Sequence, residues 1–429
     1  MEEAVQTCVL STRWRYIWTS LSVLKFGGQF YNPGSDDDGD DDDDRQVNRC
    51  IRFIDKVLSL HDNSDIQTFD LGCVSYYLNG NIEFYKCIDR WIATAASHNL
   101  QEFYIEAFHY GDFEIPLCLC TCKSLKKLVL DVSSSENYKG DIIIPNTMSL
   151  PQLKSLCLSL DQSSFIDEKL INGFFSSFPS LESLIMHMGH LGFGDINLLM
   201  SFPKLRHFRF HSWNHEKNTE VELNAPSLLS FSFEGYLSTN ITLTNLSSLV
   251  TVDIKIHVKE EEEVPGTFDI RGEKKEIYAQ RMMGLLRGIR NVKILMLNRS
   301  FLKFNYDKPP VYPFCDEVKI NPEDIGDYWD AGLSLPCMIC HLKSVEIKGL
   351  RGYVNELKFL EILLKHARVL EKVVLTSTTR QDSQREKRMT EFREFLQMFP
   401  KASKSVILLF NFFSKVTLPK FFLNLKVDR

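Results

Sequence analysis

Long apolar runs are missing from this chain. No stretch approaches the roughly 18 consecutive apolar residues that cross a bilayer, and the opening Met1-Glu2-Glu3 lacks the basic-then-apolar order of a signal peptide. The expectation is a protein of the cytosol or nucleus with no membrane partner. Excess positive charge is missing too. Lys and Arg number 50 against 56 Asp and Glu, a formal charge of −6, and most of the acidic excess sits in one run, Asp36 to Asp44. No basic stripe of the kind phosphate backbones require is present, so no nucleic-acid partner is expected. Even cysteine spacing is also missing. The 11 cysteines are odd in number and scattered, which reads as free thiols and not a disulfide framework. The sequons at Asn240, Asn245 and Asn298 are then expected to stay bare.

Catalytic signatures are missing as well. There is no nucleophile elbow, phosphate-cradling glycine loop, kinase signature or dinucleotide fingerprint, so neither an enzyme nor a cofactor is expected. Two cysteine clusters invite a zinc reading: "CLCTC" (Cys118, Cys120, Cys122) and "CMICH" (Cys337, Cys340, His341). On an extended segment C-x-C-x-C points its sulfurs to one face without the turn of a zinc knuckle, so both read as ordinary cysteines. His207, His211 and His215 stand four apart, which on a helix makes a ligand column. They lie on a strand-like phrase, "LRHFRFH", where period two governs, and no metal site is expected.

What the chain has is apolar content, 44% of residues, enough for a large core. Residues 27–45 contain "NPGSDDDGDDDDD", whose self-repelling charge cannot pack and is expected to be a disordered linker. Beyond it, Val47, Cys50, Ile51, Ile54, Val57 and Leu58 recur at helical spacing, as do Ile82, Tyr85, Ile88, Ile92 and Ala95. "IQTFDLGCV" between them alternates like a strand. Helix, strand, helix is how an α/β layer begins.

Then a phrase recurs. "LPQLKSLCL" (from Leu150), "FPSLESLIM" (from Phe178), "FPKLRHFRF" (from Phe202) and "APSLLSFSF" (from Ala225) each join an apolar or small residue, Pro, any residue and L-x-x-Φ-x-Φ, with Φ apolar. Their leading leucines, Leu153, Leu181, Leu205 and Leu228, stand 28, 24 and 23 residues apart. Looser copies lead from Leu100, Leu125, Leu249, Val292, Leu342 and Leu370. L-x-x-Φ-x-Φ alone is common by accident; the shared proline and the steady interval carry the assignment to leucine-rich repeats. The 43- and 50-residue gaps before Val292 and Leu342 imply insertions or eroded repeats.

The fold class expected is therefore α/β: an irregular leucine-rich-repeat solenoid, a curved parallel sheet with outer helices, preceded by a partial helical module. Asp167 is positioned to cap the helix "EKLINGFFSSF", and Asp195 to cap "INLLMSF". Longer helices are expected over "KKEIYAQRMMGLLRGIR" and "VNELKFLEILLKHARVL", the latter with Leu357, Leu360, Ile362, Leu363 and Leu364 inward. The polar Asn or Cys that commonly follows a repeat strand is replaced by Ser133, Asp161, Gly189, Trp213 and Tyr236, hence the irregularity. Outward positions flank the Φ residues, and a concave face is expected from Glu102, Tyr104, Glu106, Ser183, Ile185, His187, His207, Arg209, His211, Ser230, Ser232, Glu234, Thr251, Asp253 and Lys255. Of these, Glu102, Tyr104, Glu106, His187, His207, Arg209, His211 and Glu234 are the candidate contacts for a target protein.

Both ends resemble a known family. "EAVQTCVLSTRWRYIWTSL" with "KF" looks like the second half of a plant F-box, agreeing at Ala4, Val5, Thr7, Val9, Leu10, Ser11, Arg13, Trp14, Arg15, Tyr16 and Trp18. Residues 342–375 and 392–410 resemble the FBD domain that closes many plant F-box/leucine-rich-repeat proteins. The resemblance implies a substrate receptor of a Skp/cullin/F-box ubiquitin ligase. It also implies that Val5, Val9, Leu10, Arg13, Trp14, Arg15 and Trp18 face a Skp-type adaptor and the repeats face an unknown target. The family's F-box opens with an L-P-x-x-I/L-L segment, which this sequence does not show, so an F-box truncated at its N-terminus with a reduced adaptor grip is expected. The alternative is an interaction module or decoy without ligase coupling. The domain plan is a partial F-box over 1–26, linker 27–45, solenoid 46–341, FBD 342–412 and tail 413–429.

Overall fold

A proline in the second place of a four-residue turn presets the chain to reverse, and the recurring phrase uses this in each copy. The amide of Leu153 donates to the carbonyl of Leu150, Leu181 to Phe178, Leu205 to Phe202 and Leu228 to Ala225, at 3.1–3.3 Å. Each turn drops its leucine into the core and starts a strand two residues later. The computed structural model describes residues 1–9, 14, 16–26, 40–72, 82–108, 113–133, 142–160, 168–189, 195–214, 218–257, 272–305, 340–377 and 383–411. It falls into two compact units, Met1–Ser248 and Leu249–Arg429.

In the first unit the strands are β1 (Val23–Lys25), β2 (Thr68–Asp70), β3 (Glu102–Phe108), β4 (Phe113–Glu114), β5 (Lys127–Ser133), β6 (Ile142–Ile143), β7 (Ser155–Leu160), β8 (Ser183–Met188), β9 (Ile196–Ser201), β10 (His207–Ser212), β11 (Thr219–Asn224), β12 (Ser230–Tyr236) and β13 (Thr239–Thr244). The main sheet runs β1-β2-β3-β5-β7-β8-β10-β12, parallel throughout. Its register is set ahead of each strand, where one carbonyl accepts two successive amides of the next rung. Gln101 takes Lys126 and Lys127, Lys126 takes Lys154 and Ser155, Lys154 takes Glu182 and Ser183, Glu182 takes Arg206 and His207, and Arg206 takes Leu229 and Ser230, all at 2.7–3.1 Å. With register locked, like residues stack on like. Phe208 lies 5.7 Å from Phe231 and Phe210 lies 5.9 Å from Phe233, ring to ring, in a fully buried ladder.

The expected inward strand positions are inward, and the helices over Asp40–Leu60 and Ile82–Ser97 bury Cys50, Ile54, Val57, Ile88, Ile92 and Ala95, with Ile51 and Leu58 half-buried; the side chains of Val47, Ile82 and Tyr85 lie outside the described residues. Trp91 joins them, and its indole N–H reaches Asp55 Oδ1 at 2.7 Å, tying the two helices together.

Several boundaries differ from expectation. Asp40–Arg45 belongs to the Asp40–Leu60 helix and not to a linker. The rest of that linker, like Asp167, lies outside the described residues. Val23–Lys25, expected within the F-box portion, is the first strand of the repeat sheet. Cys118–Cys120 of "CLCTC" lie in a helical turn, Leu117–Cys120, and not on an extended segment. "INLLMSF" is strand β9 and not a helix. Ile196, Leu198 and Met200 are buried at period two, and β9 pairs with β11 in a second parallel sheet, β9-β11-β13. Asp195 accepts the Asn218 amide of the next rung at 3.1 Å instead of capping a helix. Outer helices are thus replaced by strands over this span, while the helix Glu168–Phe175 is as expected. Polar Asn is dispensable in these turns because backbone serves instead: the Gly189 amide donates to Leu160 and that of Trp213 to Met188.

The second unit holds β14 (Thr251–His257), β15 (Ile294–Asn298), β16 (Ser344–Leu350), β17 (Lys372–Ser377) and β18 (Ile407–Asn411), parallel and in that order. Helices Gly272–Gly288, Val354–His366 and Ser383–Met398 lie between them in sequence, and Leu357, Leu360, Ile362, Leu363 and Leu364 are buried as expected. The FBD portion continues the repeat register, since β16 pairs with β15 residue for residue. Here a repeat asparagine does appear. Asn298 Oδ1 accepts the amides of Ile256 and Phe301 at 3.0 and 3.3 Å, and its Nδ2 donates to Ile256 O at 2.8 Å. The fully buried Glu356 accepts the amides of Arg351, Gly352 and Tyr353 at 3.1, 2.8 and 3.0 Å, closing the start of its helix. Burial pushes this carboxyl up while the amides pull it down.

Substitutions at two positions test these constraints. A Cβ at Gly235 would stand 2.2 Å from the Ser212 carbonyl oxygen of the neighbouring strand, so Gly235→Ala should cost about 1–3 kcal/mol in denaturant unfolding. Glu356→Ala should cost about 2–4 kcal/mol by stranding amides at a helix start, and Glu356→Gln less, because one oxygen still accepts. Thermal unfolding followed by circular dichroism reads both.

Candidate functional site

Period two leaves every second residue of the first unit's main sheet on its open face, and parallel register lines these residues up in rows. One row reads Glu102, Lys127, Ser155, Ser183, His207 and Ser230. The next reads Asp70, Tyr104, Val129, Cys157, Ile185, Arg209 and Ser232. The third reads Glu106, Asp131, Ser159, His187, His211 and Glu234. The structure therefore brings Glu102, Tyr104, Glu106, His187, His207, Arg209, His211 and Glu234 onto one face. Thr251, Asp253 and Lys255 are half-buried positions of β14 in the second unit.

The chemistry of this face changes along the rows. At the β2–β5 end, the Tyr104 hydroxyl donates to Glu102 Oε2 at 2.7 Å, and Lys127 Nζ sits 5.1 Å from the Tyr104 ring centroid. Burial and the Glu102 bond hold the phenol well above its ordinary value. Burial, then the Asp131 and Asp70 charges, raises the Glu106 carboxyl, and burial raises Asp70. In the middle, the Ser159 hydroxyl donates to Asp131 Oδ1 at 2.6 Å. Val129 and Cys157 form a floor only 4% and 6% exposed. At the β8–β12 end, the rings of His187 and His211 stack at 4.6 Å and His207 Nδ1 pairs with Ser230 Oγ at 2.8 Å. Asp70, Lys127, Val129, Asp131, Cys157 and Ser159 escaped the sequence-based choice. Applying the flanking rule to the Leu125-Leu128-Leu130 copy would have found Lys127, Val129 and Asp131.

Burial pushes Cys120 to about 11 and Cys157 to about 12, and raises Cys118. Among the described residues no group of His, Cys, Asp and Glu is arranged to hold a metal ion, and no helix is long and apolar enough to cross a membrane.

The N-terminal segment presents a second surface. Val5 lies in the short helix Glu2–Gln6 and Val9 ends the turn Thr7–Val9. Val9 is 88% exposed, and Trp14, Tyr16 and Ile17 are exposed with it. Leu10, Arg13 and Arg15 lie outside the described residues. Trp18, which the sequence places on the adaptor side, is 6% exposed and packs inside the chain. The segment is fastened below it: Thr19 O accepts the Asp62 amide at 2.9 Å and the His61 ring bonds Leu21 O at 3.0 Å.

Comparison with known proteins now bears on both surfaces. The family described as "FBD-associated F-box protein At5g56370, LRR repeats" matches residues 88–307, more than half of the chain, and the family "FBD" matches residues 334–375. The chain is similar to the Arabidopsis thaliana F-box/LRR-repeat protein At3g59200, 24% identical over 83% of this chain and 66% of that protein. It is similar to the Arabidopsis thaliana FBD-associated F-box protein At4g10400, 28% identical over 53% and 49%, and to the putative F-box/FBD/LRR-repeat protein At1g66300 of the same plant, 25% identical over 87% and 83%. It thus spans about half to two thirds of the length of the first two and more of the third. No solved structure matches the chain. A repeat sheet built on L-x-x-Φ-x-Φ strands, closed by an FBD portion in continuous register and matched over most of its length, places this chain in the family of plant FBD-associated F-box proteins with leucine-rich repeats.

Proposed function

We propose that the chain is the substrate-recognition subunit of a Skp/cullin/F-box type ubiquitin ligase, acting by binding and not by catalysis. Family membership supports a receptor role. The single observation that carries the adaptor side is the exposure of Val9, Trp14, Tyr16 and Ile17 on a segment whose base is fastened to the fold by Trp18, Thr19 and Leu21. Aromatic and aliphatic side chains left in water on an anchored segment cost free energy until a partner covers them, which is the signature of an interaction site. In this reading a Skp-type adaptor covers them, as the family membership suggests, and the repeat face takes the target. Tethering the two at fixed separation raises the target's effective concentration near the ligase, with no chemistry required of this chain.

Calorimetry of the full chain with a Skp-type adaptor should register binding that Trp14→Ala and Ile17→Asp each weaken by about tenfold or more. Trp18→Ala should instead lower thermal stability, as a core cavity does. Adaptor binding indifferent to both surface substitutions would sink the assignment.

A further inference from the structure

One imidazole meets two carbonyls at the foot of the exposed N-terminal segment. His61, half-buried, directly follows the helix Asp40–Leu60. Its Nε2 lies 3.0 Å from Leu21 O of the segment, and its Nδ1 lies 2.8 Å from Asp62 O. A carbonyl oxygen only accepts, so each contact is a hydrogen bond only when the facing nitrogen carries a proton. A neutral imidazole has one N–H, and its other nitrogen then aims a lone pair at a carbonyl lone pair. The imidazolium has two and satisfies both carbonyls.

The surroundings accept that charge. The exposed Asp62 carboxylate takes the Ser64 amide at 2.9 Å, and the bonds from Ser64, then the His61 and His98 charges, hold it below the usual carboxylate range. It therefore offers the ring a negative neighbour at neutral pH. The other titratable group against His61 is His98, just past the helix Ile82–Ser97, whose ring stands edge-on at 5.9 Å. Its Nδ1 faces Thr94 O at 2.8 Å, a single demand that a neutral ring meets. On the side of the segment, Thr19, Ser20, Leu21 and Ser22 bring no charge.

Position gives this proton leverage. The segment is held by the Asp62 amide at Thr19 O, the Thr68 amide at Ser22 O and the His61 ring at Leu21 O. Backbone amides do not titrate near neutrality, so only the third contact depends on pH. Trp14, Tyr16 and Ile17 stand exposed just ahead of it.

We propose that His61 is a proton-operated clasp on the exposed segment. With the ring doubly protonated, Leu21 O and Asp62 O are both bonded and the segment is held; with the ring neutral, one of the two contacts turns repulsive and the segment loosens. In the loosened state water serves the ring whatever its charge, so the clasped state favours the proton. The stabilisation is therefore present on the acid side of the ordinary histidine range, about 6.5, and is lost as pH rises past it. This names a regulation of the surface assigned above to the adaptor and rests on that reading for its consequence, firmer presentation of Trp14 and Ile17 on the acid side.

Hydrogen exchange of the full chain alone, followed by mass spectrometry and corrected for the intrinsic pH dependence of amide exchange, tests the clasp. Protection of the amides of residues 17–25 should fall by about tenfold between about pH 6 and about pH 8. His61→Gln keeps a donor but no titratable group, so its protection should be lower at about pH 6 and level across the range. His98→Gln should keep the wild-type dependence. A wild-type segment as indifferent to pH as His61→Gln, or a dependence that survives His61→Gln, would overturn the proposal. Should His61→Gln fail to fold, nitrogen NMR of the wild-type chain with labelled histidine decides. One ring should keep both N–H groups at about pH 7.5, with its signal displaced in His98→Gln; no such ring overturns the proposal. Neither measurement contains an adaptor, so the clasp and the adaptor reading fail separately.

Discussion

The repeated lateral pairing, in which one carbonyl ahead of each strand takes two amides from the next rung, is the constraint from which the rest follows. A parallel sheet has weak intrinsic register, because slanted bonds tolerate displacement. Fixing the entry point of each strand removes that freedom before the strand begins. The proline turns act at the same place, since they set the direction from which the chain enters. Both effects agree with side-chain packing: phenylalanines stack on phenylalanines where their backbones are aligned.

The open face inherits that alignment. Residues separated by twenty or more positions become neighbours in rows, and a surface composed from many short strands can vary one side chain without moving the others. The row Tyr104, Val129, Cys157, Ile185 and Arg209 is built this way, one residue from each of five adjacent rungs. The exposed apolar cluster near Trp14 follows a different logic, since a local anchor at Trp18 holds a short segment out from the fold.

Sequence reading was strongest where periodicity has one cause. Leu153, Leu181, Leu205 and Leu228 went into the core, and the flanking residues of their strands went outward, because period two and a proline turn leave no other arrangement. It failed at Ile196–Ser201, where a short apolar run with an acidic residue before it fits a helix start and a strand alike. Only pairing with β11 decides between them, and that partner is distant in sequence. It missed the Trp91–Asp55 bond for the same reason. Asn298 was legible in principle, following Leu295 and Leu297 in the expected place, but its role depends on what Ile256 offers. The outward face was legible as a list of residues; which of them stand side by side was not, because that depends on register between strands twenty or more residues apart.

The helix Glu168–Phe175 treats β9 in an unusual way. Asn172 accepts the Leu199 amide and donates to Asn197 O, and Glu168 accepts the Asn197 amide, so two side chains stand in for a missing strand. A bare strand border is an invitation to other chains. A protein built from many short parallel strands has such borders to protect wherever a sheet ends. Here the sealing is done with amide and carboxylate groups that imitate backbone, which closes the β9 border of the second sheet to indiscriminate pairing.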